Sequence, residues 1–232
     1  MSEKVKPRQA ATVVLLRETE PKGFEVFLTR RPDAMPFLGG MYCFPGGAVA
    51  KDDCAPRMIE RCRGLAPEQA RKIAGAQFSA RQALGLWVAA VRELFEEVGI
   101  LLAVNSSGTA ILPGDLYQKH ATAVDGSSTF FSLLQHEDLY CDLSSLVHFS
   151  RWQTPAQNAM RFDTRFFIAA LPRQQTPLKT SEEVAHSIWL SPDLAMQRYG
   201  RGELPIIFPT FASLRTLADF ESVQSVMKEF SK

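Results

Sequence analysis

Between Leu84 and Gly99, apolar residues recur at Leu84, Trp87, Val88, Val91, Leu94, Phe95 and Val98. At about 100° per residue these positions share one side of a helix, and Gly99 stands where a helix often ends on glycine. Roughly opposite lie Glu93, Glu96 and Glu97, spaced i, i+3 and i+4, so three carboxylates occupy one small patch. A helix end is negative, and each carboxylate there costs on the order of several tenths of a kcal/mol. Arg92 supplies one cation against three anions. The pattern therefore calls for another positive charge, and hard divalent ions such as Mg²⁺ and Mn²⁺ favour oxygen ligands. An acidic trio by itself is more often a solvated helix face, so its surroundings decide the reading.

The rest of the chain alternates strand and helix patterns. Residues 10–16 are β-branched and apolar, 24–29 alternate as a strand should, and 18–23 between them read as a hairpin turn. Residues 42–44 form a short strand before Pro45-Gly46-Gly47, a tight turn that allows close backbone approach. Residues 54–63 and 67–80 have helical composition, broken at Gly64 and Gly75. A buried strand is predicted over 100–104, a loop over 106–114, and an amphipathic helix over 128–136 capped by Ser127 or Ser128. Strands over 146–152 and 162–171 pair across a loop, 184–190 is the final strand, and Pro192 opens a helix. Two C-terminal helices, 209–220 and 221–230, are expected to pack on the core. Together these elements predict one α/β domain spanning 1–232.

The 26 basic and 25 acidic residues give no bulk charge to draw a nucleic acid or membrane surface. Cys43, Cys54, Cys62 and Cys141 form no zinc-ligand pattern, which suggests inert thiols in a reducing compartment. His120, His136, His148 and His186 have no ligand spacing. No apolar run approaches membrane-spanning length and no secretory apolar core opens the sequence, so a cytoplasmic location is expected.

The acidic helix and the glycine turn together resemble the Nudix signature, G-x5-E-x7-R-E-U-x-E-E-x-G-U, where U is bulky and aliphatic. Gly47 fits its first glycine, and Arg92-Glu93-Leu94-Phe95-Glu96-Glu97-Val98-Gly99-Ile100 fits its second half. Asp53 takes the place of the first glutamate. The box is interrupted: 38 residues separate Asp53 from Arg92 where the pattern has seven. Such an interrupted box is typical of a branch that includes coenzyme A diphosphatases. Arg151-Trp152-x-Thr154-Pro155 and Arg161-Phe162-Asp163-Thr164-x-Phe166-Phe167 also resemble that branch. The resemblance implies a Nudix α/β/α sandwich with a mixed sheet and a helical insertion at about 54–84. Six basic residues in the insertion suggest a solvated flap, with a substrate wall, lid or dimer contact as the functional alternative.

By the same resemblance, Glu93, Glu96 and Glu97 ligate Mg²⁺ or Mn²⁺, with Gly47 offering its carbonyl and Arg92 holding a carboxylate in place. Asp53 would bind through water or steady the helix. Glu183 is the candidate general base and Glu182 its reserve, with Glu96 or Glu97 as the alternative. Arg30, Arg31 and Arg161 are candidates for substrate phosphates, and Phe44, with Phe37 and Phe162, for stacking on a base. Phe27-Leu28-Thr29-Arg30-Arg31, Gly40 and Phe44-Pro45-Gly46-Gly47 match the spacing of a pattern found ahead of the box in coenzyme A-cleaving members. Pro32 and Pro36 depart from it, the second replacing an arginine. The implied partner is a small-molecule nucleotide, with coenzyme A or an acyl derivative split to 3′,5′-ADP and phosphopantetheine. ADP-ribose or NADH is the alternative substrate, and a non-catalytic nucleotide sensor or a decapping enzyme the alternative class. Nudix enzymes are frequently dimers, which leaves a homodimer open.

Overall fold

Strand β1 (Arg8–Glu18) divides its side chains between two apolar layers: Ala11, Val13 and Leu15 enter one, Val14 and Leu16 the other. This two-sided burial is what a central strand requires. The computed structural model describes residues 5–111 and 129–231. In it β1 runs antiparallel to β2 (Phe24–Arg30) and parallel to β9 (Phe162–Ala170). With β10 (His186–Leu190) beside β2 and β8 (Val147–Gln153) beside β9, the strand order is β10-β2-β1-β9-β8. Short strands β3 (Tyr42–Cys43) and β4 (Gly46–Ala48) join β2 and β1. A second, three-stranded sheet orders β5 (Cys62–Arg63), β7 (Leu139–Asp142) and β6 (Ala103–Asn105).

The first layer is covered by helix α3 (Ala80–Val98), whose predicted apolar stripe from Leu84 to Val98 is wholly buried. Ser79 and Gln82 form a capping box at its start, and Gly99 ends it with φ 72°. The second layer is covered by α5 (Pro192–Gly200), α6 (Phe208–Leu217) and α7 (Val223–Phe230), which contribute Ala195, Leu214, Leu217, Val223 and Val226. The result is the α/β/α sandwich with a mixed sheet. None of the helices in the described residues is long and apolar enough to cross a membrane.

Several boundaries differ from expectation for local reasons. Residues 100–102 are buried, but the strand begins only at Ala103. The Gln175 side chain brackets Leu101, accepting from its amide at 2.9 Å and donating to its carbonyl at 3.0 Å, in place of a strand partner. The last strand begins at His186 because Val184 and Ser181 bond each other across a turn. Helix α4 (Phe130–His136) is capped by Thr129; Ser127, Ser128, His120 and residues 112–114 of the expected loop lie outside the described residues.

The insertion folds as α1 (Pro56–Glu60), β5 and α2 (Pro67–Ala74), so it contains a strand as well as helices. Its outer face carries Arg57, Arg63, Arg71, Lys72 and Arg81 exposed, while Met58, Ala70, Ala74 and Phe78 are buried in the α3 layer. Arg165 of β9, only 1% exposed, ties it down: its guanidinium donates to the Ala74 carbonyl at the end of α2 and to Asp163, and lies over Phe78. A cation at a helix C-terminus meets the negative end of the macrodipole.

Candidate active site

The end of α3 meets the glycine turn because β4 pairs with β1, with Gly47 opposite Ala11 and Gly46 opposite Thr12. A Cβ on Gly47 would lie 2.5 Å from the Glu93 carboxyl carbon, so any larger residue would displace that carboxylate from its present position. The Gly46 amide donates to the Glu97 carboxylate at 3.1 Å. Glu97 is therefore no solvated helix-face residue; it is 7% exposed.

Arg92 organises the rest of the cluster. Its Nε and Nη2 donate to the two oxygens of Asp53 at 2.8 and 3.0 Å, and Nη2 also reaches the Ala48 carbonyl at 3.0 Å. Nη1 donates to Glu96 at 2.7 Å and lies 2.9 Å from a Glu93 oxygen. Asp53, buried at 1% exposure, also accepts from the Ala50 amide at 2.7 Å. The acid at the first position of the box thus holds Arg92 in a fork-to-fork pair. Arg92 in turn fixes the glycine strand against α3.

Burial sets the electrostatics. Removal from water pushes Glu93 up to about 7 despite Arg92 beside it. Burial, with Glu93 and Glu183 nearby, pushes Glu97 up to about 8. Two deeply placed carboxylates that resist ionisation together suit a divalent cation, whose charge offsets their repulsion. The donor set of Glu93, Glu97 and the unhindered Gly47 backbone fits such an ion. Among the described residues, no group of three acidic, histidine or cysteine side chains is already arranged to hold one, and Glu96 is engaged by Arg92.

A cavity of about 500 Å³ opens beside this cluster. Gly46, Gly47, Cys43, Arg31, Phe44 and Glu183 line one end. Arg31 is steadied by a hydrogen bond from its Nε to the Phe37 carbonyl at 3.2 Å. Phe44, 3% exposed, forms part of the wall and packs edge-on against Phe166 at 6.3 Å. Burial holds the Cys43 thiol up to about 11, which fits an inert thiol.

Two predicted phosphate contacts lie elsewhere. Arg30 pairs with Asp33 at 2.6 Å and does not line the cavity. Arg161 donates to the carbonyls of Thr154 and Val5 at 3.2 and 2.7 Å, so it fastens the cavity rim without facing into it. The insertion contributes no lining residue. It packs in the α3 layer, whereas the cavity floor is the opposite face of the sheet, so among the described residues the insertion forms no wall of this cavity, the alternative to the solvated flap. The cavity also contains Arg8, Thr12 and Trp152, which sequence reasoning did not assign to a site, together with Ile207, Pro209 and Thr210 from α6 and its approach. The first of the two predicted C-terminal helices therefore shapes the cavity as well as packing on the core.

Comparisons with known proteins bear on the family and the fold. The family model of the NUDT19 Nudix domain matches residues 7–217. The acyl-coenzyme A diphosphatase NUDT19 of Gallus gallus is 27% identical over 267 residues, covering 95% of this chain and 70% of that protein. Its Homo sapiens counterpart is 26% identical over 269 residues, covering 95% and 71%. The crystal structure of a NUDIX hydrolase from Alicyclobacillus acidocaldarius superposes with a TM-score of 0.81 at 28% identity, covering 97% of this chain and 96% of that one.

Proposed function

The chain belongs to the Nudix hydrolase family, and from that premise we propose that it cleaves the diphosphate bond of coenzyme A or an acyl-coenzyme A. The products would be 3′,5′-ADP and phosphopantetheine or its acyl form. The observation that carries this reading is the buried Glu93–Glu97 pair beside the Gly46-Gly47 turn, at one end of a cavity large enough for a nucleotide. Similarity to proteins named acyl-coenzyme A diphosphatases supports the substrate class.

In this proposal Glu93, Glu96 and Glu97, with the Gly47 carbonyl, hold Mg²⁺ or Mn²⁺. Bound there, such an ion would neutralise diphosphate oxygens and lower the pKa of water. Arg92, fixed by Asp53, keeps Glu93 and Glu96 in place. Arg31 meets the phosphate oxygens from the cavity side. Glu183, which lines the cavity and raises the pKa of Glu97 by its charge, takes a proton from the attacking water. A new bond forms between water oxygen and one phosphorus, the bond from that phosphorus to the bridging oxygen breaks, and the other phosphate departs.

ADP-ribose or NADH is a second reading, favoured by Pro36 where the coenzyme A pattern has arginine and by the engagement of Arg30 with Asp33. A panel of coenzyme A, acetyl-coenzyme A, ADP-ribose and NADH with Mg²⁺, resolved by product, separates the two. Faster release of 3′,5′-ADP from coenzyme A supports the first; much faster AMP release from ADP-ribose rejects it. Decapping has no support from the balanced charge, and a sensor without turnover would not need a buried carboxylate pair.

A further inference from the structure

The cavity floor is a sheet face whose residues can be followed from the diphosphate end outward. Along β1, Thr12, Ala10 and Arg8 line the cavity, as alternate residues on one side of a strand must. Their parallel partners on β9 are Phe166, Thr164 and Phe162, which line it too. Thr12 is opposite Gly46, so Arg8 lies four residues, or about 13 Å, from the glycine turn along the strand.

Among the described residues the Arg8 guanidinium has no carboxylate partner, and unlike those of Arg161 and Arg31 it is not spent on a backbone carbonyl. Nearby Asp163 is taken by Arg151 and Arg165. The Arg8 side chain is exposed, with its guanidinium 6.0 Å from the Phe162 ring centroid. Phe162 packs against Phe37, with centroids 5.0 Å apart, and both rings line the cavity. The backbone around Arg8 is held firmly: its amide donates to the Arg161 carbonyl, while the Arg161 guanidinium clamps Val5 and Thr154. An unpaired guanidinium on a fixed strand, backed by an aromatic pair, has the chemistry of a nucleotide subsite that binds an anion.

We propose that Arg8, with Phe162 and Phe37, recognises a phosphate monoester on the substrate ribose, the long arginine side chain spanning part of the strand distance to the diphosphate held at the glycine turn. This rests on the diphosphate reading above and sharpens it: Arg8 becomes a specificity-determining residue for nucleotides carrying a third phosphate. ADP-ribose and NADH lack that group.

The test compares binding of 3′,5′-ADP and 5′-AMP to the full chain by calorimetry, alongside turnover of coenzyme A and 3′-dephospho-coenzyme A. Native protein is expected to bind 3′,5′-ADP at least about tenfold more tightly than 5′-AMP. Arg8→Gln should bring the two within about threefold and raise KM for coenzyme A with little change in kcat, and Arg8→Lys should recover part of the preference. Equal binding of the two nucleotides by native protein overturns the proposal, as does a preference that survives in an Arg8→Gln protein with native thermal stability. If the binding preference behaves as expected but coenzyme A is not cleaved, the subsite stands and the assigned reaction fails.

Discussion

Replacing Arg92 with glutamine should destabilise the fold independently of any loss of activity. The Arg92 side chain is 13% exposed and its partner Asp53 1% exposed. The substitution removes both limbs of their pair, the bond to the Ala48 carbonyl and the charge facing Glu93 and Glu96. Breaking a buried pair by deleting one partner costs about 3–5 kcal/mol, largely because the other charge stays behind. For a chain of this length that lowers Tm by about 10 °C. Asp53→Asn should cost less, because Arg92 retains two other carboxylates and the asparagine oxygen can still accept from the Ala50 amide. Urea unfolding of the two single variants and the double variant, in chelator, completes a cycle. The double variant should be more stable than the sum of the single losses implies, by about 2 kcal/mol. Additivity within about 0.5 kcal/mol would refute the structural role assigned to Asp53.

Other expectations follow from the same geometry. Gly47→Ala puts a methyl group 2.5 Å from the Glu93 carboxyl carbon, so kcat should fall by about a hundredfold or more in steady-state assays. Glu93 and Glu97, held up to about 7 and about 8 from 4.5, bind more protons folded than unfolded across that interval. Their contribution to metal-free stability is fully present below about pH 4.5 and is lost as pH rises toward about 8. Mg²⁺ or Mn²⁺ should therefore raise Tm more at about pH 8.5 than at about pH 6, as read by thermal unfolding with and without chelator. Arg165→Ala removes the bonds to Asp163 and to the end of α2, at a cost of about 3 kcal/mol. Trypsin should then cut faster at exposed Arg71 and Lys72, with KM nearly unchanged because the insertion lies away from the cavity.

Much of the fold is legible locally. The apolar stripe of α3, its glycine stop and the apolar run of β1 are short-range patterns that burial enforces, whereas β2, read as alternating, is covered on both faces. The Arg92-to-Gly99 run and Gly47 identify the acidic cluster because helix spacing gathers the glutamates and the glycine leaves room for the Glu93 carboxylate. What stays hidden depends on long-range pairing. Arg161 and Arg30 look like free cations at strand ends, yet backbone carbonyls and Asp33 claim them. Arg165 sits in a strand as an apparent surface residue, and only the seating of α2 over β9 shows that it is buried. The side of the sheet taken by the insertion is likewise a tertiary outcome. Arg8 carries a weak signal in retrospect: it shares strand parity with Ala10 and Thr12, but the register against Phe162 spans most of the chain.

The most direct test of the central claim is the release of 3′,5′-ADP from coenzyme A by native protein and by Glu97→Gln, in Mg²⁺ with chromatographic separation of products. Native protein should yield 3′,5′-ADP and phosphopantetheine in equal amounts, and the variant should be slower by at least about a hundredfold. Undiminished release by the variant would contradict the account.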